Sequence, residues 1–415
     1  MLQLTTATTS AAGTPVAGRG GIRREVVAAL AVTTTIGYGV LYYAFSALLE
    51  PMRTDLHIST TTATGALAVA SLTSAVLAIP IGRWLDRRGG HGLMTVGSIL
   101  AAASVLAWSH VHTTTGLYAA FVALGIASAM VLYPPAFAVI VASTAPQRRT
   151  TALLGITLVA GFASSIFIPL TGQLIHAYGW RQTLAILAGV IAVVTIPLHA
   201  LALRRTRPIT AQPAHHPRPA PSRALHDPGF WLLATAFVLH SAALAVIGVH
   251  LVTYLTRLGH QPTTAATLAG LLGLLSVTGR ATVTILGRWL PMTAITAVII
   301  TLQGIALGLL PAAGRSVAGA AICLIPFGLG FGVASIAKPA ILLDRYGDHG
   351  YATIAGILGT PTSIAAATAP LAAAALATVL GYTPLILTAA GSCALAGLAL
   401  TVTHHLHTSP ARILR

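Results

Sequence analysis

Twelve apolar runs, separated by short polar segments, are the feature that most constrains how this chain folds. Each run has about 18 to 27 residues, and a helix of about 20 apolar residues crosses the ~30 Å hydrocarbon core of a bilayer. Only 7% of the 415 residues are charged, whereas a soluble domain has about 25%. The sequence therefore predicts an all-α membrane protein with twelve transmembrane helices, here called spans 1 to 12.

The basic residues indicate how these spans are oriented. With the N-terminus in the cytoplasm, seventeen of the 23 Lys and Arg residues fall in cytoplasmic segments, four fall outside, and Arg280 and Lys338 lie within spans. This asymmetry follows the positive-inside rule. It predicts a multi-pass protein of the cell membrane with both termini cytoplasmic. Because no basic face is clustered, the distribution argues against a nucleic-acid partner.

A segment rich in Pro and charge, residues 204–228, divides the chain in the middle. Such a composition neither packs nor crosses lipid, so it predicts a flexible cytoplasmic linker. Six spans precede the linker and six follow it. The predicted units are a disordered cytoplasmic tail (1–24), a first six-helix bundle (25–203), the linker (204–228), a second six-helix bundle (229–404) and a cytoplasmic tail (405–415).

The tetrapeptide G-R-W-L occurs once in each half, at Gly82–Leu85 and at Gly287–Leu290. Each copy comes directly after the second span of its half. This placement predicts a parallel repeat, in which two six-helix bundles are related by pseudo-twofold symmetry and enclose a substrate path near the bilayer midplane.

The first copy continues as G-R-W-L-D-R-R-G, which resembles the loop between helices two and three of the major facilitator superfamily. The family pattern is Gly, three residues, Asp, a basic residue, any residue and Gly. The matching residues are Gly82, Asp86, Arg87 and Gly89. The basic residues usual a little further on are replaced by His91 and Gly92. The resemblance implies a cytoplasmic gate, in which Asp86 either caps a helix N-terminus or pairs with Arg87.

Scattered segments resemble the monocarboxylate and oxalate/formate-type branch of that superfamily. They are Tyr38–Met52, Gly179–Arg181, Val249–Leu255 and the pair Gly279–Arg280. In that branch an Arg of span 8 is associated with the substrate carboxylate, and Arg280 stands at the matching place. The resemblance implies a secondary-active transporter that moves a small mono- or dicarboxylate by alternating access, with proton symport.

A proton-driven exporter of drugs or hydrophobic metabolites is the main alternative. Many such exporters resemble one another in a Gly-Pro-rich span 5 and an early Arg in span 4. Here the span 5 segment Leu158–Gly172 has no Gly-Pro pair, and the span 4 segment Tyr118–Gly125 has no basic residue. Exporters of other subfamilies lack both features, so the alternative stays open. A transport-inactive sensor is less favoured because the linker and tails are short.

Charged residues inside spans are candidates for function because placing a charge mid-membrane costs at least about 2.5 kcal/mol. Arg280 lies about 10 Å into span 8, and its planar fork of donors suits a carboxylate. Its alternative is to snorkel to the interface. For Lys338, near the end of span 10, snorkelling or a pair with Asp344 is the favoured interpretation.

Proton coupling requires a group that titrates near neutral pH, and with no mid-span acid the candidates are His240 and His250 of span 7. His240 is nearer the midplane and is the stronger candidate for proton and substrate. His250 either carries a proton or bonds a backbone carbonyl or another helix. A purely structural role as a hydrogen-bonded polar residue is an equal alternative for both. Tyr42 of span 1 and Tyr133 of span 4 are candidates for lining the path, and an interfacial or packing role is their alternative.

No residues in the sequence have the spacing of an enzyme's catalytic residues, a P-loop or a Cys/His metal site. We therefore expect no cofactor and no metal. The expected partners are a small organic anion, protons and membrane lipid, and the expected form is a monomer.

Overall fold

A computed structural model describes residues 24–204 and 224–408. The first tail up to residue 23, linker residues 205–223 and the last residues from 409 lie outside the described part. Within it the chain forms helices and no strand.

The first bundle contains spans 1 to 6. Span 1 is Arg24–Tyr38, a π-helical turn Gly39–Tyr43 and Ala44–Asp55; spans 2 and 3 are Thr60–Arg88 and His91–Ser109; span 4 is Thr114–Val131 with Tyr133–Ser143. Spans 5 and 6 run through Pro146–Ala160, Ala163–Val190, the π-helical turn Ile191–Thr195 and Ile196–Ala202. Gly179, with φ 75° and ψ 166°, breaks the continuous assignment and separates span 5 from span 6.

The second bundle contains spans 7 to 12. Spans 7, 8 and 9 are Pro228–Arg257, Pro262–Leu286 and Met292–Ala313. Span 10 is Val317–Phe331 with Ala334–Tyr346, bent by 44°. Spans 11 and 12 are Tyr351–Leu380 and Tyr382–Thr408.

Twelve spans result in the described part of the chain. Ten helices are individually long and apolar enough to cross a membrane, and the bent pair of span 10 makes an eleventh. Dividing Pro146–Ala202 at Gly179 supplies the twelfth. The predicted all-α class is confirmed. Span 12 continues through Thr408, four residues past the boundary at 404 that the sequence suggests.

Local sequence explains where several spans begin and end. Ser59, Thr113 and Ser316 precede spans 2, 4 and 10, and their hydroxyl oxygens accept bonds from backbone N–H groups of the first turn. Such N-caps satisfy donors that have no partner within the helix. Gly89 (φ 75°) and Gly381 (φ 83°) end spans 2 and 11 in the left-handed region that favours glycine.

The contact between the two bundles has twofold character. Span 2 packs along much of span 11, whereas span 5 touches span 8 over a short stretch. If the repeat superimposes span 2 on span 8 and span 5 on span 11, the two contacts join matching pairs of spans, and the first contact is much the larger. The path predicted between the bundles is therefore bordered by these four helices, with span 1 and span 4 on one side and span 10 on the other.

Candidate functional site

The last turn of span 2 meets the first turn of span 11 at one end of the molecule, which we call the Asp86 end. Asp86 is 5% exposed and lies in the last turn of span 2. Its carboxylate accepts bonds from the N–H groups of Ala352 (3.1 Å) and Thr353 (2.8 Å) and from the Thr353 hydroxyl (2.6 Å). These donors are in the first turn of span 11, where the helix dipole favours a negative charge. Of the two contacts that the sequence allows for Asp86, the structure has the helix cap.

Glycine makes this contact possible. At Gly82 a β-carbon would collide with the backbone of Ala352, and at Gly356 it would lie 2.5 Å from the carbonyl oxygen of Ala78. Small residues at such crossings let two backbones approach closely. One turn further along span 11, the Thr360 hydroxyl donates to the carbonyl of Ala75 at 2.9 Å. Spans 2 and 11 are thus joined from the Asp86 end to mid-membrane.

A second contact across the bundles lies beside the first. Arg149, at the start of span 5, forms an ion pair with Asp348 at 2.9 Å, and each side chain is 12% exposed. Arg87, the basic residue of the first motif, is exposed. The second G-R-W-L copy has Pro291 where the first has Asp86, so the repeat supplies the capping acid on one side only.

Between described residues, every cross-bundle hydrogen bond lies in the region from the Asp86 end to mid-membrane. The two bundles are therefore closed at this end.

Arg280 lies at the interface between the bundles. Its Nη1 donates to the carbonyl of Thr157 in span 5 at 3.3 Å, and its Nε donates to the carbonyl of Gly332 in span 10 at 3.5 Å. Gly161 and Gly332 border the guanidinium, and a β-carbon at either position would occupy its space. Thr157 is eleven residues from the start of span 5, about 16 Å deep. The guanidinium is therefore near the membrane middle and does not snorkel.

Tyrosines of spans 1 and 4 form a cluster in the first bundle. The hydroxyls of Tyr43 and Tyr133 lie within electrostatic range of Arg280. The Tyr133 ring lies 4.5 Å from that of Tyr38, and the Tyr38 and Tyr43 ring centres are 6.5 Å apart. Tyr42 packs edge-on against Tyr43 at 5.2 Å and is 48% exposed. The structure thus groups Tyr133 with Tyr38 and Tyr43, while Tyr42 borders this group through Tyr43.

The π-helical turn of span 1 accounts for this difference. Tyr38 and Tyr43 are five residues apart, which in an α-helix places them about 140° apart around the axis. The turn Gly39–Tyr43 widens the helix and brings the two rings to one face. Such turns are rare in proteins as a whole, but they are found often at functional sites. A hydrophobic pattern carries no signal for one extra residue in a turn, so the sequence does not single out Tyr43.

The two predicted histidines lie inside the second bundle. His240 is fully buried, its Nε2 donates to Oε1 of Gln303 in span 9 at 2.9 Å, and its Nδ1 has no hydrogen-bond partner in the described structure. His250 is 7% exposed and donates to the carbonyl of Pro370 in span 11 at 3.0 Å. Neither is grouped with Arg280 and the tyrosines by the contacts described.

Lys338 does not follow the sequence interpretation of snorkelling. Its Nζ lies 3.4 Å from Oγ1 of Thr362 and 5.6 Å from the centre of the Phe237 ring. Phe237 is nine residues into span 7 and Thr362 is eleven residues into span 11, about 14 to 17 Å from the Asp86 end. The ammonium is therefore held at mid-membrane among spans 7, 10 and 11.

A buried histidine of span 6 was not singled out by the sequence. His199 is 1% exposed, and both ring nitrogens are bonded, to Ser98 at 2.7 Å and to Thr33 at 3.0 Å. A fully bonded ring of this kind joins spans 1, 3 and 6 structurally. Within residues 24–204 and 224–408 no group of three His, Cys, Asp or Glu side chains is close enough to hold a metal.

Comparisons with known proteins agree with this architecture. Residues 30–370 match the family model of the Major Facilitator Superfamily. The chain is 30% identical over 55% of its length to an MFS-type efflux pump of Mycolicibacterium smegmatis, and 29% identical over 60% of its length to monocarboxylate transporter 13 of Rattus norvegicus. These matches span 53% and 58% of the relatives, a little over half of their length.

Two solved structures share the fold. The human organic anion transporter MFSD10 superposes with a TM-score of 0.71 at 15% identity, covering 91% of this chain and 99% of that one. The fucose:proton symporter of E. coli superposes with a TM-score of 0.72 at 13% identity, covering 91% and 98%. With a family model matched over most of its length and twelve spans in two bundles, the chain belongs to the major facilitator superfamily.

Proposed function

We propose that this transporter moves a small organic anion, a mono- or dicarboxylate, across the cell membrane by alternating access. Arg280 is the anion-binding residue, and the hydroxyls of Tyr43 and Tyr133 donate to the same ligand. The supporting observation is the position of the guanidinium, which lies between the bundles near mid-membrane with two long bonds to carbonyl oxygens.

The positions of the acidic residues support an anion-binding role for Arg280. All seven Asp and Glu residues lie in the described part, and none of them is within ion-pair distance of Arg280. A charge at this depth is costly unless it is paired. A carboxylate ligand supplies the partner and takes two parallel N–H bonds from the planar guanidinium. The similarity to monocarboxylate transporter 13 supports the same class of solute.

The contacts at the Asp86 end support a gate. In the proposed orientation this end is cytoplasmic, so the structure is closed toward the cytoplasm. Opening requires Asp86 to leave the first turn of span 11 and Arg149 to leave Asp348. Gly82, Gly89 and Arg87 belong to the same gate through the motif.

Proton symport is part of the proposal, with His240 as the proton carrier. The unpartnered Nδ1 of His240 is the atom that would accept the proton, because Nε2 is engaged with Gln303. His240→Gln should then transport without response to a pH gradient. His250 is bonded to Pro370, so we propose a secondary role for it.

The test is uptake of labelled carboxylates into proteoliposomes, with and without a pH gradient. Arg280→Ala should lower uptake about a hundredfold, since two charge-assisted hydrogen bonds contribute about 3 kcal/mol. Arg280→Lys should recover part of the loss. Arg288→Ala, at an exposed position two residues after the same span, is the matched control. Full activity of Arg280→Ala removes the anion site from the proposal.

Export of drugs or hydrophobic metabolites is the second candidate function, supported by the similarity to an MFS-type efflux pump. An exporter predicts that deletion sensitises cells to toxic compounds and leaves growth on organic acids unchanged. An anion importer predicts the reverse.

A further inference from the structure

The distribution of acidic residues leaves the middle of the protein positively charged. Each of the seven acids lies near a helix end: Glu25, Glu50 and Asp55 in span 1, Asp86 in span 2, Asp227 before span 7, Asp344 in span 10 and Asp348 before span 11. Within the described spans the cations near mid-membrane are Arg280 and Lys338. No acid of the protein lies at their depth.

Lys338 is held there by weak contacts. Its ammonium has three donors, and the described structure gives it one long bond of 3.4 Å to the Thr362 hydroxyl. That hydroxyl is itself engaged with the carbonyl of Gly359 at 2.8 Å. The Phe237 ring, at 5.6 Å, adds a cation–π contact. These contacts position the ammonium without neutralising it.

The side chain remains partly exposed although it lies among three helices of the second bundle. Span 10 contributes to the central space, because the carbonyl of Gly332 in this span contacts Arg280. Gly332 and Lys338 are six residues apart, about 9 Å along a helix, on the two sides of the 44° bend. Span 10 therefore carries Lys338 and supplies the carbonyl that contacts Arg280 of span 8, which relates the two cations through one broken helix.

Resting on the proposed function, we infer that Lys338 is a second anion-binding residue of the central site and that the transported solute is a dianion, such as a dicarboxylate, with one carboxylate on Arg280 and the other on Lys338. A monoanion neutralises one cation and leaves the other uncompensated in a medium where isolated charge is costly. A dianion neutralises both. Lys338 is then the residue that determines specificity for the second charge.

The experiment compares dicarboxylates with their monoamides, which have the same size and one charge fewer. Malonate, succinate and glutarate and their monoamides are titrated into the purified full-length protein, and dissociation constants are measured by calorimetry. For the native protein at least one dianion should bind at least tenfold more tightly than its monoamide. Lys338→Met should bring this ratio near one by weakening the dianion, and Lys338→Arg should keep it.

Controls separate the alternatives. Arg257→Met removes a cation that stacks on the Tyr382 ring and should leave the ratio unchanged. A native ratio near one, or a ratio that persists in Lys338→Met, overturns the inference and leaves carboxylate transport in place. Failure of every carboxylate and monoamide to bind the native protein overturns the proposed function itself. If Lys338→Met does not fold, the same comparison with Lys338→Gln decides, because Gln removes the charge and keeps a polar side chain.

Discussion

Neutralising Asp86 should open the closed end of the transporter. In the structure its carboxylate accepts three hydrogen bonds from the first turn of span 11, two of them from backbone N–H groups. Asp86→Asn keeps the shape of the side chain, but its NH₂ group would face N–H and O–H donors. Hydrogen bonds to a charged group contribute about 1.5–3 kcal/mol, against about 0.5–1.5 kcal/mol for neutral pairs.

The expected loss is therefore about 3 kcal/mol, made up of weaker bonds and a lost interaction with the helix dipole. A change of this size shifts the equilibrium between closed and open arrangements about 150-fold toward the open one. The shift applies to the Asp86 end, because the broken bonds lie there.

Distances between spin labels at Gln147→Cys and Arg288→Cys measure this shift. Both positions are exposed at the Asp86 end, one on each bundle. Asp86→Asn should add a population with a longer distance, while Arg83→Gln, at an exposed position on the same helix, should keep the native distribution. An unchanged distribution in Asp86→Asn, with the protein folded, would refute the role of this contact as a latch.

Two further perturbations have defined outcomes. Gly356→Ala places a β-carbon 2.5 Å from the Ala78 carbonyl and should separate spans 2 and 11 and raise the open population in the same assay; Gly359→Ala, with open space around the added carbon, should have no effect. Burial raises the pKa of Asp227, but hydrogen bonds from Arg345 and Tyr346 and the charge of Arg345 outweigh this and lower that pKa from 3.8 to about 2. Its stabilisation is therefore complete above pH 4 and is lost as the pH falls toward 2. Asp227→Asn should lower stability by about 3 kcal/mol at pH 7, and the difference in melting temperature from the native protein should shrink below pH 4; a difference independent of pH contradicts the assignment.

The sequence predicts the spans well because a membrane imposes one simple requirement on each. Apolar length decides whether a helix crosses, and the break at Gly179 coincides with the polar turn between the fifth and sixth runs. The motif around Asp86 is also visible, because its glycines and acid occupy fixed positions along one helix end.

The directions of individual side chains could not be predicted from the sequence. Lys338 lies close to Asp344 along the chain, yet its ammonium is at mid-membrane beside Thr362, 24 positions further on. Tyr43 lies beside Tyr38 because of one π-helical turn, and His240 is turned toward Gln303 in span 9. Each of these contacts depends on which other helix packs against that side chain. The periodicity of apolar residues along one helix does not identify that partner helix.

The latch at Asp86 ends mainly on main-chain amides, and every amino acid except proline supplies that group. The residue at position 352 is therefore free to vary without loss of the bond, provided that a helix begins there. Methods that infer proximity from correlated substitutions need two side chains that change together. Here one partner is the side chain of Asp86, and the other is mainly backbone, which stays the same when the residue is substituted. This joint between the halves would leave little trace in a family alignment, and its presence has to be read from coordinates.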